Sequence, residues 1–67
     1  MKDKLQRLRK SKGLTQAKLS EMLGYSTQSI VSAWESGERT PPTDKLLRLA
    51  EILGCTVDEL LKNNDVA

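Results

Sequence analysis

The chain has 67 residues, 11 basic and 9 acidic, for a net charge of +2, with one cysteine and no histidine. That length accommodates one small domain with a modest core, which favours a compact helical bundle or self-association. The composition excludes an internal disulfide, a cysteine–histidine metal cluster and a bilayer-spanning run; no signal-peptide pattern opens the chain, so a cytoplasmic protein with no membrane contact is expected.

Charge is unevenly distributed. Residues 1–12 hold six basic residues and one acidic, net +5, and the remainder holds five basic and eight acidic, net −3. Such an asymmetry is expected to turn the basic end toward a polyanion. The same segment spaces Leu5 and Leu8 as the core stripe of a first helix, from about Asp3 to Ser11. Arg9, four residues after Leu5, lies at the edge of that stripe, and Gly13 ends the helix.

Thr15 is a good N-cap for a second helix, in which Leu19 and Leu23 share the inner face. Ser20 is small where another helix must cross closely, and Gly24 stands where a left-handed terminating residue is expected. Tyr25-Ser26-Thr27 reads as a polar connection, with Thr27 able to cap the next helix. On a helical wheel with Gln28 at zero, Ser32, Ser29 and Ala33 fall between about 40° and 140°. Ile30, Trp34 and Val31 fall between about 200° and 300°. The third helix thus has a bulky apolar half for anchoring and a small, uncharged polar half left outward. Gln can pair bidentately with adenine, Ser with either base type, and an Ala methyl can touch a thymine methyl.

Ser36 to Pro42 forms a loop, ended at the helix by Gly37 and stiffened by Pro41 and Pro42. A fourth helix opens at Thr43-Asp44, with Leu46, Leu49, Ala50 and Leu53 as its stripe, and Gly54 ends it. Cys55 beside that stripe reads as a small buried hydrophobe. Thr56 and Glu59 form a capping-box signature for a short fifth helix with Val57, Leu60 and Leu61. No strand pattern appears, so the fold class is all-α, a compact five-helix bundle over residues 1–62 with a frayed tail at 63–67. Ile52, Leu61 and Val66 are surplus to one core and are assigned to a two-fold interface.

Taken together, LTQAKLSEMLGYSTQSIVSAWESGERTPP resembles the Cro/CI-type (XRE-like) helix-turn-helix family of phage repressors and bacterial regulators. The resemblance rests on Leu14-Thr15-Gln16, Leu19, Leu23-Gly24, Val31-Ser32, Trp34-Glu35, Gly37 and Pro41, and runs from about Leu5 to Leu61. It implies a lambda-repressor-like fold with the helix-turn-helix at about 16–35. It also implies base-edge contacts from Gln28, Ser29, Ser32 and Ala33, and an inner ion pair between Arg9 and Glu35. In the family the loop after the third helix touches phosphate, which points to Arg39. From Gly24 to Trp34 the chain is one residue longer than the common family pattern. We place the extra residue in the turn near Tyr25-Ser26, since inside the helix it would misalign Val31 and Trp34.

The expected function is a sequence-specific double-stranded DNA-binding regulator, a repressor acting as a homodimer on a two-fold operator. Thr15, Gln16, Ser26, Arg39 and Thr40 are assigned to phosphate, which fixes register. The alternative is an antitoxin or a protein-interaction module that keeps the fold and takes a protein partner. With no nucleophile beside a base and no glycine-rich phosphate loop, neither an enzyme nor a cofactor is expected.

Overall fold

The computed structural model describes residues 2–61. Five helices follow one another: α1 (Lys2–Ser11), α2 (Gln16–Met22), α3 (Ser29–Ser36), α4 (Thr43–Leu53) and α5 (Val57–Leu61). No strand occurs among the described residues. The proposed tail, and Val66 within it, lie outside them.

The termini form where local chemistry dictates. Thr15 Oγ1 accepts from the Lys18 amide at 3.0 Å, satisfying one free donor of the first turn of α2. Gly24 takes φ 90° just past the helix, a conformation in which a Cβ would crowd the following carbonyl. The capping box at α5 is reciprocal: the Glu59 amide donates to Thr56 Oγ1 at 3.0 Å, and the Thr56 amide to Glu59 Oε1 at 3.3 Å. Thr27 acts differently from a standard cap. The helical geometry begins one residue later, with Gln28 as the capping residue, and Thr27 Oγ1 accepts from the Ser29 amide at 3.3 Å.

Leu5, Leu19, Leu23, Val31, Trp34, Leu46, Leu49, Ala50, Leu53 and Leu60 form the core. α3 packs against both α1 and α2, while α4 and α5 pack on each other. Ser20 is 1% exposed, so α2 approaches its neighbours closely along that side. Two expectations are revised. Ile52 is half-buried and packs against the core, whereas Leu47, at the margin of the α4 stripe, is 57% exposed. Tyr25, read as part of a polar connection, is also half-buried: its ring meets Trp34 edge-on with centroids 5.8 Å apart.

Candidate nucleic-acid interface

The second half of the core fixes one helix. Val31 and Trp34 of α3 are 0% and 1% exposed, so the helix cannot rotate about its axis without exposing both. Burying an indole of this size contributes on the order of 3 kcal/mol. Behind α3 lies a polar anchor as well. Arg9 Nε donates to Glu35 Oε2 at 2.5 Å, and Arg9 Nη2 donates to Glu35 Oε1 at 3.3 Å. Arg9 Nη1 donates to the Leu14 carbonyl at 2.7 Å, and Gln16 Nε2 to Glu35 Oε1 at 2.9 Å. Both side chains of the ion pair are under 10% exposed. One cluster thus ties α1, the start of α2 and the end of α3 together.

With those residues turned inward, Gln28, Ser29 and Ser32 are exposed and Ala33 is half-buried. The face they make carries amide and hydroxyl groups and no charge. Ser29 Oγ and Thr27 Oγ1 lie 3.2 Å apart, so the hydroxyls at the start of α3 orient one another. The turn between α2 and α3 runs over residues 23–28, and Val31 and Trp34 are both buried.

A groove of about 560 Å³ runs between the start of α2 and the turn, lined by Thr15, Lys18, Ser20, Tyr25, Ser26 and Gln28 among others. Thr15 and Ser26, both assigned to phosphate, line the same groove. Gln16 is placed otherwise: it is half-buried and one amide hydrogen is committed to Glu35. Lys18 is a cation that pattern reading passed over. Its position three residues after the cap was the available signal, and its pairing with exposed Glu21 at 3.2 Å is worth little in water.

On the far side of α3 the loop is fastened to the helix. The amides of Glu38 and Arg39 both donate to the Ala33 carbonyl, at 3.0 and 3.2 Å, and Gly37 sits at φ 85° to permit the reversal. Pro41 is buried and anchors the far end of the loop, leaving Arg39 and Thr40 exposed. Arg39 forms no ion pair among the described residues.

Three cations of residues 1–12, Lys4, Arg9 and Lys12, are placed away from this surface. α1 packs against the inward side of α3, and Arg9 is consumed by Glu35. Lys12 reaches Gly54, and Lys4 and Lys12 both act on Cys55 at the α4–α5 turn, where Glu59 also lies. Burial, reinforced by Glu59, pushes the half-buried Cys55 thiol above its ordinary range, with Lys4 and Lys12 partly opposing the shift. Among the described residues no cluster could hold a metal ion, and no helix is long and apolar enough to cross a membrane.

A family model described as helix-turn-helix matches residues 5–60. The HTH-type transcriptional activator BcrR of Enterococcus faecalis is 39% identical over 64 residues, which cover 96% of this chain and 31% of that protein. Repressor protein C2 of Salmonella phage P22 is 38% identical over 64 residues, covering 96% and 29%. The chain therefore spans about a third of the length of these two relatives. It spans 75% of y4dJ, an uncharacterized HTH-type transcriptional regulator of Sinorhizobium fredii, 41% identical over 59 residues that cover 88% of this chain. Among solved structures, the P22 c2 repressor in complex with synthetic operator 9T, in the presence of Tl+, matches with a TM-score of 0.83. The identity is 35%, covering 90% of this chain and 89% of that one.

Proposed function

The chain belongs to this helix-turn-helix family, and on that premise we propose that it is a transcriptional regulator that binds double-stranded DNA with α3 in the major groove. The observation that carries the reading is the split of α3 into a locked half and an exposed, uncharged half. Gln28, Ser29, Ser32 and Ala33 meet base edges, where neutral hydrogen-bonding groups discriminate sequence instead of adding bulk attraction. Thr15, Ser26, Arg39 and Thr40 contact phosphate on either side. Gln16 joins them with its remaining donor while holding Glu35. The likeness to a repressor protein in complex with a synthetic operator supports the DNA-binding reading.

With few cations flanking the face, one domain binds weakly. A homodimer on a two-fold site, with half-sites about 34 Å apart, multiplies the contacts. Leu47 and Leu61, 57% and 51% exposed, supply apolar surface for that pairing, and Ile52 lies along the same α4–α5 region. Repression is the simpler outcome, because occupancy alone blocks a promoter, although relatives include both an activator and repressors. Selection of bound sequences from random duplex DNA tests the whole reading. A dyad-symmetric site whose affinity falls steeply with salt is the expected result. Salt-insensitive binding to a protein, with no enriched duplex, would overturn it in favour of an interaction module or antitoxin.

A further inference from the structure

Lys45 stands where its own helix disfavours it. α4 begins at Thr43, so Lys45 lies in its first turn, the positive end of the helix. A carboxylate such as Asp44 is favoured there and an ammonium is not. Lys45 is also half-buried, whereas a lysine on a free surface carries its ammonium out into water. The ammonium instead reaches the opposite end of another helix. Lys45 Nζ donates at 2.9 Å to the carbonyl of Leu23, the capping residue at the end of α2. α2 has no basic residue in its own last turn, so the cation that its C-terminus favours comes from α4.

The same Nζ sits 5.1 Å from the centre of the Tyr25 ring, within cation–π range. Trp34 of α3 meets that ring edge-on, and the Tyr25 amide donates to the Ser20 carbonyl of α2 at 3.0 Å. Three helices therefore grip this one residue. Exposed Ser26, Thr27 and Gln28 follow it directly. Tyr25 lines the groove that holds Thr15 and Ser26, and also a second groove lined by Ser29, Ala33 and Arg39. A shift of Tyr25 thus moves a wall of both grooves and redirects the residues after it.

We propose that Lys45 is a positioning residue for base reading. By holding the Tyr25 ring and the Leu23 carbonyl it fixes the turn, and so the direction in which Gln28 and its neighbours are presented. Lys45 acts through Tyr25 and makes no contact with the duplex itself. The proposal rests on the DNA-binding reading above and deepens it, placing part of the specificity on a side chain outside the reading face.

The test uses the full chain, the duplex enriched from the random pool and a shuffled duplex of the same length. Its readout is the ratio of the two dissociation constants. Lys45→Met keeps the stem and loses the charge; it should stay folded at the assay temperature by circular dichroism. Its ratio should nevertheless fall roughly fivefold, the lower end of one lost base contact, with binding to the shuffled duplex unchanged. Lys45→Arg, whose guanidinium can also donate and stack on a ring, should restore the ratio. In a Tyr25→Leu background, Lys45→Met should lower the ratio less than it does in the parent. A full fivefold loss there would overturn the route through Tyr25. If folded Lys45→Met keeps the parent ratio, the positioning role is wrong although the DNA-binding reading stands. If it weakens both duplexes alike and flattens the salt dependence by about one unit, Lys45 touches phosphate itself and the proposal fails. A Lys45→Met chain unfolded at the assay temperature makes Lys45 a stability residue, which also overturns it. If no duplex is enriched at all, both readings fall together.

Discussion

The α2–α3 half and the α4–α5 half of the domain are attached by different kinds of force. α3 is held by directional contacts: a two-point guanidinium–carboxylate pair, a glutamine that reaches the same carboxylate, and an edge-on aromatic pair. α4 and α5 rest mainly on Leu46, Leu49, Leu53 and Leu60, whose burial has no preferred angle. Apolar burial resists separation but tolerates a few degrees of rotation, whereas a forked ion pair constrains orientation. The half whose orientation decides which groups face outward is the half with angular restraints. Lys45 of α4 joins the two: its Nζ donates to the Leu23 carbonyl at 2.9 Å and sits 5.1 Å from the centre of the Tyr25 ring.

The contrast can be broken experimentally. Trp34→Ala should have the largest effect, a loss of about 3–5 kcal/mol in urea unfolding, because it empties the site that anchors α3. A loss below about 2 kcal/mol would show that α3 is not anchored there. Glu35→Ala should cost about 3 kcal/mol by stranding the buried Arg9 guanidinium. Replacing both partners, as Arg9→Met with Glu35→Leu, should restore most of the melting temperature but blur base selectivity. If selectivity stays sharp in that double variant, the angular restraint is dispensable.

Smaller effects sharpen the same comparison. Lys45→Met keeps the aliphatic stem and removes the link between the halves, for about 1 kcal/mol in thermal denaturation. Thr56→Ala should lose a similar ~1 kcal/mol, confined to the start of α5, as amide exchange would report. Gln28→Ala should leave the melting temperature unchanged yet cost about 1–3 kcal/mol at particular base pairs of the selected duplex. Arg39→Ala should weaken every duplex alike and flatten the salt dependence by about one unit. Identical behaviour of these last two variants would show that α3 does not read bases.

Helix limits were legible in the sequence wherever a cap acts within four residues, as at Thr15, Gly24, Gly37 and the Thr56–Glu59 box. Long-range placement was harder to read. On the α4 wheel Ile52 and Leu47 both lie about 110° from the middle of the stripe, on opposite sides. Only packing with the neighbouring elements decides that Ile52 is covered and Leu47 is not. Tyr25 was misread for the same reason, since its partners Trp34 and Lys45 come from two later helices. The charge count of residues 1–12 was right, but its meaning depended on where α1 packs, and Lys4 and Lys12 end beside the acidic α4–α5 turn.

The outward positions Gln28 and Ser32 share no contact duty with Val31, Trp34 and Glu35, which seat the same helix. Exchanging the side chains of the first pair therefore leaves these seating contacts in place. If α3 reads bases as proposed, a lineage built this way exchanges one target site for another by single replacements at Gln28 or Ser32, each intermediate keeping the contacts that seat the helix.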